Sequence, residues 1–236
     1  MKHAVVTGAS RGIGAAVAES LAERGYALTL TCHSQGTRLE RFAEELKEKY
    51  GIKCDCFCGD ISEESFVDRL FKNIDPPDVL VNNAGISHVG LIQDMTLDQW
   101  NRVIGVNLTS AFLTCRRAIP MMLGRGGSII NISSMWGTVG ASMEVAYSAS
   151  KGGLNTYTKA LAKELAPSGI QVNALACGVV DTEMNSFLTD EDRQALCDEI
   201  PAGRFATVSE VAAAVISIID AGPYMTGQVI GFDGGI

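Results

Sequence analysis

No apolar stretch in these 236 residues comes near the ~18 needed to cross a bilayer, which excludes a helical membrane span. Met1-Lys-His-Ala-Val-Val runs straight into a strand, so no secretory leader is expected and the protein reads as cytoplasmic. Positive charge is also scarce: 19 Lys and Arg stand against 27 Asp and Glu, a net charge of -8. Such a chain lacks the basic face that phosphate backbones demand, so nucleic acid is not an expected partner. An anionic cofactor must then be held by local groups. Repeats, low-complexity segments and blocks of like charge are missing as well. The seven cysteines are an odd number, which suits a reducing compartment better than a disulfide framework. Cys54, Cys56 and Cys58 alternate, so one strand points all three to one face, where core packing is expected. They lack Cys-x-x-Cys geometry and a fourth partner nearby, and no metal site is expected.

What is present is enough apolar material, 47% of residues, to fill one α/β core, so residues 1–236 read as a single domain. Apolar runs near 2–7, 27–32, 52–58, 78–82, 128–132, 170–175 and 228–232 alternate with helical stretches. Near-continuous runs such as Asp78-Val-Leu-Val81 and Ser128-Ile-Ile-Asn-Ile132 are what a parallel sheet covered on both faces requires. The rhythm predicts a Rossmann-type, doubly wound parallel sheet of about seven strands with helices on both faces. One helix shows core spacing at Leu154, Thr158, Leu161 and Leu165, with Pro167 and Gly169 marking its end. The less regular stretch from about Cys177 to Pro201 is either a mobile substrate lid or a plain helical insertion.

Two motifs carry chemistry. His3-Ala-Val-Val-Thr7 leads into Gly8-Ala-Ser10-Arg11-Gly12-Ile13-Gly14 and then a helix, a strand–turn–helix whose glycines and free amides suit a pyrophosphate. Tyr147 and Lys151 lie four residues apart, on one face of a helix, with Ser134 thirteen residues upstream. A fixed ammonium beside the phenol is expected to lower its pKa from ~10 toward working pH, which makes Tyr147 a proton donor and acceptor.

Thr7-Gly-Ala-Ser-Arg-Gly-Ile-Gly14, Asn82-Asn-Ala-Gly85, Asn107, Ser134 and Tyr147-x-x-x-Lys151 stand in the order of the short-chain dehydrogenase/reductase family, which the chain resembles over nearly its whole length. Val106-Asn-Leu-Thr-Ser110, Val172-Asn-Ala-Leu175 and the ending Thr226-Gly-Gln-Val-Ile-Gly-Phe-Asp-Gly-Gly235 make it most similar to the bacterial 3-oxoacyl-(acyl-carrier-protein) reductases. The resemblance implies that Asp60 and Ile61 lie near adenine, and that Asn82, Ala84 and Gly85 follow the adenosine ribose and sheet edge. It also implies that Val180 and Thr182 hold the nicotinamide carboxamide and that Lys151, beside Tyr147, binds the nicotinamide ribose. It makes Asn107 a further catalytic residue, anchoring a water that leads to Lys151, with a satisfied helix-packing amide as the other reading. Where the family usually has Pro-Gly, this chain has Cys177-Gly178. The missing proline makes that loop's geometry less certain than its role.

The cofactor is readable from an absence. An NAD enzyme places an acid about twenty residues after the glycine loop, yet the segment here is Leu30-Thr-Cys-His33-Ser34-Gln-Gly36. Arg11 and Ser34, helped by His33 when protonated, suit a ribose 2′-phosphate, so NADP(H) is expected over NAD(H). The chemistry follows as carbonyl reduction: Tyr147 protonates the emerging alkoxide and Ser134 orients the carbonyl. Met135, Trp136, Val139, Met143 and the 184–200 segment are expected at the mouth. By resemblance the substrate is a 3-oxoacyl thioester of fatty-acid biosynthesis, with acyl carrier protein as a partner. Arg125 matches one carrier-docking position, but Ser168 stands where such enzymes can carry arginine, which favours a coenzyme A thioester or free ketone. An alcohol dehydrogenase for a sugar, steroid or other free ketone is the alternative. A non-enzymatic dinucleotide sensor is disfavoured, because Tyr147 and Lys151 are both retained. The helices near 97–123 and 145–166 and the last strand are expected to bury against copies of themselves in a homotetramer.

Overall fold

The computed structural model describes residues 1–186 and 188–236. Seven strands form one all-parallel sheet: β1 (His3–Val6), β2 (Ala27–Cys32), β3 (Cys54–Cys58), β4 (Val79–Asn82), β5 (Gly127–Ser134), β6 (Ile170–Cys177) and β7 (Val229–Phe232). Their spatial order is β3-β2-β1-β4-β5-β6-β7, so the direction of winding reverses between β1 and β4. Among the described residues, nine α-helices connect them: α1 (Gly12–Glu23), α2 (Gly36–Tyr50), α3 (Glu64–Lys72), α4 (Leu97–Ile104), α5 (Ser110–Met122), α6 (Trp136–Val139), α7 (Val145–Leu165), α8 (Asp190–Glu199) and α9 (Val208–Asp220).

The period-2 alternation of strands sorts the core into two layers. Ala4, Val6, Leu28, Leu30, Val79 and Val81 pack beneath α1, α2 and α9 with Val17, Leu21, Leu39, Leu46, Val211 and Val215. Val5, Leu80, Ile129 and Val172 face the other way, onto Phe66 and Leu70 of α3, Leu113 and Met122 of α5, and Leu161 and Leu165 of α7. Each large apolar side chain so buried contributes on the order of 1.5–3 kcal/mol. Helix limits follow local chemistry. Leu39, Ala43 and Leu46 put α2's buried stripe on one face, and Gly51 at φ 65° ends it in the left-handed conformation. In α7 the expected Leu154, Thr158, Leu161 and Leu165 are all buried. A 3-10 turn through Pro167 then leads to Gly169 at φ 69°. Thr207 and Glu210 close a capping box at the start of α9.

Three expectations need adjustment. β3 begins at Cys54, not residue 52, while β5 and β6 run on to Ser134 and Cys177. The cysteines do share one face, but their burial fades along β3: Cys54 is buried, Cys56 half-buried and Cys58 exposed, because the strand's end emerges at the sheet edge. The stretch after Cys177 is more regular than expected. It holds a 3-10 turn (Glu183–Asn185) and α8, whose start Thr189 and Asp192 cap reciprocally. Arg193 ties α8 down through Asp181 at 3.0 Å and by stacking 4.5 Å from the Phe205 ring centroid. No helix among the described residues is long and apolar enough to cross a membrane.

Candidate active site

At the carboxyl ends of the strands, where the winding reverses, a cleft of about 600 Å³ opens. Ser10, Arg11, Gly12 and Ile13 line its floor with Gly8, whose φ of 67° fits the tight turn. Gly14 does not line the cleft. A Cβ there would lie 2.4 Å from the Gly8 carbonyl oxygen and 2.5 Å from Asn83 Nδ2, so its bareness lets the helix seat against the loop. Asn83 Nδ2 donates to the Thr7 and Gly8 carbonyls at 2.9 and 3.0 Å, and Thr7 Oγ1 accepts from the Asn83 and Ala84 amides, both at 3.0 Å.

This lattice corrects the expectation for Asn82. Its side chain turns into the core, donating to Asn131 Oδ1 at 2.9 Å and accepting from Thr114 Oγ1 at 2.7 Å. Alternation along the strand end hands the loop contact to the next residue. His33, Ser34, Asp60, Ile61, Ala84, Gly85, Val180 and Thr182 all line the cleft. His33 Nε2 stands 3.7 Å from Asp60 Oδ2. Burial pushes the Asp60 carboxyl up, but hydrogen bonds from Ser62 and Arg102 outweigh it and hold Asp60 below its usual range.

The catalytic candidates gather at the other end of the cleft. Tyr147 and Lys151 enter from the first two turns of α7, and Ser134 ends β5. Their electrostatics differ from the expectation. Burial pushes Tyr147 up to about 12, a hydrogen bond with Ser134 pulls it down in part, and the Glu144 carboxylate pushes it further up. Lys151 does not lower it. The Lys151 ammonium lies 5.7 Å from the Tyr147 ring centroid and donates to the Ile132 carbonyl at 2.8 Å, while burial lowers its own pKa to about 8. Desolvation, which disfavours any charged form, therefore exceeds the attraction of the pair.

Asn107 sits in a π-helical turn (Gly105–Thr109) between α4 and α5. It is 2% exposed and fully engaged: Oδ1 accepts from the Ile86 amide at 2.8 Å, and Nδ2 donates to the Ile86 carbonyl at 2.9 Å and Ser150 Oγ at 3.0 Å. It thus ties the loop after β4 to α7, as a satisfied packing amide does. Met135 and Trp136 line the cleft, whereas Val139 and Met143 face solvent and do not line it. Of the expected mouth segment, Met184, Asn185, Leu188 and Leu196 line the cleft, and residue 187 lies outside the described residues. Arg125 pairs with Asp78 at 3.2 Å just before β5, so the eight residues of that strand hold it about 25 Å from Ser134.

Besides Asn83, three residues escaped the sequence reading. Ser87 donates a short hydrogen bond to Glu144 in the cleft wall. Glu144 follows Met143, the one non-glycine residue with positive φ (63°) among the described residues. Arg38, in the first turn of α2, shares the Glu183 carboxylate with Arg11. Only Glu144 left a signal, a carboxylate three residues before the tyrosine; the others meet partners distant in sequence.

A model of the short chain dehydrogenase family matches residues 2–193. The chain belongs to the short-chain dehydrogenase family. It is 41% identical to a 3-oxoacyl-(acyl-carrier-protein) reductase of Aquifex aeolicus, covering 100% of this chain and 97% of that one. It is 39% identical to an uncharacterized oxidoreductase of Bacillus subtilis, covering 99% and 98%. The solved L-sorbose reductase of Gluconobacter frateurii, complexed with NADPH and L-sorbose, superposes with a TM-score of 0.93 at 29% identity, over 99% of this chain and 95% of that one. Short-chain dehydrogenases are oxidoreductases that bind a nicotinamide dinucleotide, and this cleft fits such a group. It runs from Ser34 to Tyr147, and at Gly12, with φ 56°, an added Cβ would meet nothing nearer than Thr182 Cγ2 at 3.5 Å.

Proposed function

We infer that this short-chain dehydrogenase reduces a 3-oxoacyl thioester to the 3-hydroxyacyl thioester with NADPH. The observation that carries the reading is the full-length 41% identity to a 3-oxoacyl-(acyl-carrier-protein) reductase, joined to a cleft that holds Ser134, Tyr147 and Lys151 at one end. When bound, the nicotinamide supplies the hydride. The protein's groups handle the oxygen and its proton. Ser134 Oγ donates to the substrate carbonyl and orients it, and Tyr147, a neutral phenol at pH 7 with its pKa near 12, gives its proton to the developing alkoxide. Lys151, held by the Ile132 carbonyl, keeps a positive charge beside the phenolate that remains. Asn107 positions that end of the cleft by binding Ile86 and Ser150.

NADPH is preferred on this reading because Arg11 and Ser34 line the far end of the cleft and Arg38 adjoins it through Glu183, where no acid stands after β2. Gly8, Ser10, Gly12, Ile13, His33, Asp60, Ile61, Ala84, Gly85, Val180 and Thr182 would complete the cofactor wall. Arg125 lies far from this chain's own cleft, so a coenzyme A thioester remains a substrate beside the acyl carrier protein form. The likeness to an L-sorbose reductase, together with the polar Ser87–Glu144 pair in the wall, favours a polyhydroxy ketone as the second reading.

Nicotinamide absorbance followed with NADPH and with NADH, on a 3-oxoacyl group carried by acyl carrier protein or coenzyme A and on free ketones, tests both. Efficient NADPH-dependent turnover of either thioester supports the first reading. Turnover confined to hydroxylated free ketones replaces it with the second.

A further inference from the structure

The cleft's phosphate-binding end is not an open pair of cations. Glu183 Oε1 accepts from Arg38 Nη1 at 2.9 Å, and Glu183 Oε2 accepts a short bond from Arg11 Nη1. The carboxylate crosses 172 residues of sequence to reach Arg11 and 145 to reach Arg38, and joins three separate elements. Arg11 stands at the start of α1, Arg38 in the first turn of α2, and Glu183 opens the 3-10 turn that begins the substrate side of the cleft. Glu183 follows Thr182, the neighbour of Gly12 across the cleft, and precedes Met184, which lines its mouth.

A two-oxygen anion between two guanidiniums at helix starts mimics a phosphate group. Half the surface of all three side chains stays exposed, so the bridge is screened and opens readily. We propose that Glu183 is a built-in surrogate for the cofactor's 2′-phosphate: in the free enzyme it occupies Arg11 and Arg38, and the arriving 2′-phosphate displaces it. This rests on the NADP(H) reading above and adds that binding this phosphate frees the turn at the substrate mouth. A 2′-phosphate brings more charge and more acceptor oxygens than one carboxylate, so it wins the exchange. A cofactor without that phosphate leaves the bridge closed. Glu183 then moderates the preference for the phosphorylated cofactor, because it competes with the 2′-phosphate and not with a cofactor that lacks it.

The test compares wild type with Glu183→Gln, Arg11→Ala and Arg38→Ala. NADPH and NADH binding are read by nicotinamide fluorescence, and 2′,5′-ADP binding by calorimetry. Glu183→Gln removes the competing charge and is expected to tighten NADPH and 2′,5′-ADP about threefold to tenfold, with NADH changed by less than about twofold. Each arginine variant is expected to weaken NADPH about tenfold and spare NADH. Hydrogen exchange at the Asn185 and Ser186 amides, which bond the Thr182 and Glu183 carbonyls at 3.0 and 3.2 Å, should quicken when 2′,5′-ADP binds wild type. Unchanged or weakened NADPH binding in Glu183→Gln overturns the surrogate, as does unaltered exchange. If the arginine variants lose NADPH while Glu183→Gln binds it as wild type does, the cofactor reading stands and the surrogate falls. Wild type binding NADH as tightly as NADPH removes the cofactor reading itself, whatever Glu183 does.

Discussion

Tyr147 and Lys151 lie one helical turn apart, and burial moves both toward their neutral forms, the phenol up to about 12 and the ammonium down to about 8. A neutral phenol is the form a proton donor needs, so Tyr147→Phe should cost at least about a hundredfold in ketone reduction while nicotinamide fluorescence still reports bound cofactor. Near-normal turnover in that variant would leave the donor role untenable. Lys151 gives a pH signature. It is charged below about 8 and neutral above, so kcat/KM for NADPH, which reports the free enzyme, should fall as pH rises past 8; a profile flat to pH 10 contradicts this. His3 gives another, in stability. Its ring bonds the Asp75 carbonyl and Thr29 Oγ1, both at 2.9 Å, and burial holds its pKa below 6.5. Below pH 6.5 the unfolded chain gains a proton that the folded one resists, so stability falls as pH drops toward the lowered value. Thermal melts of His3→Gln should show a shallower acid loss than wild type over that window. The residue pattern disclosed Tyr147 and Lys151 by spacing but not their proton affinities, because desolvation depends on what covers them.

At the scale of elements, the strands were legible wherever apolar residues recur and both faces are buried, as in β2 and β4. The ends of β5 and β6 were not, because Ser133-Ser134 and Ala176-Cys177 are small or polar and interrupt the apolar signal at the point where the sheet meets the cleft. The glycine loop was legible as a motif, but its two supports were not. One is Asn83, a single residue beyond the expected Asn82, and the other is the seat that Gly14 leaves for the Gly8 carbonyl. Gly14→Ala should therefore drive its methyl into backbone, destabilise the protein by about 1–3 kcal/mol and weaken cofactor binding. A melt and a fluorescence titration check both. The π-helical turn around Asn107 carries no sequence signature. Asn107→Ala would strip the half-buried Ile86 amide and carbonyl of their partners, an expected loss of about 1–2 kcal/mol. Turnover should fall with it, because the loop behind Lys151 loosens; unchanged unfolding in denaturant would show that Ile86 finds other partners.

At the scale of the molecule, the sheet has two unequal edges. β3 ends in the exposed Cys58 but lies under α2, whose Leu39, Ala43 and Leu46 cover its face. β7 at the other edge is only partly covered: Val229, Ile230 and Phe232 stay half-buried and Gly231 is exposed. A partly covered apolar edge strand invites pairing or burial against another chain. Leu97 at 72%, Phe112 at 44% and Val145 at 43% exposure add apolar surface at the starts of α4 and α7 and on α5, the helices whose sequences suggested contact between copies. One chain thus presents apolar surface in two regions, and we propose that each makes a self-complementary contact, which together would close a tetramer with twofold axes. Light scattering should give four times the 25.0 kDa chain mass. Charge placed on each surface, Phe112→Glu on one and Val229→Glu on the other, should each yield dimers, and together monomers, at unchanged secondary-structure content. A fully active monomer from the unaltered chain would assign those apolar side chains to some other contact.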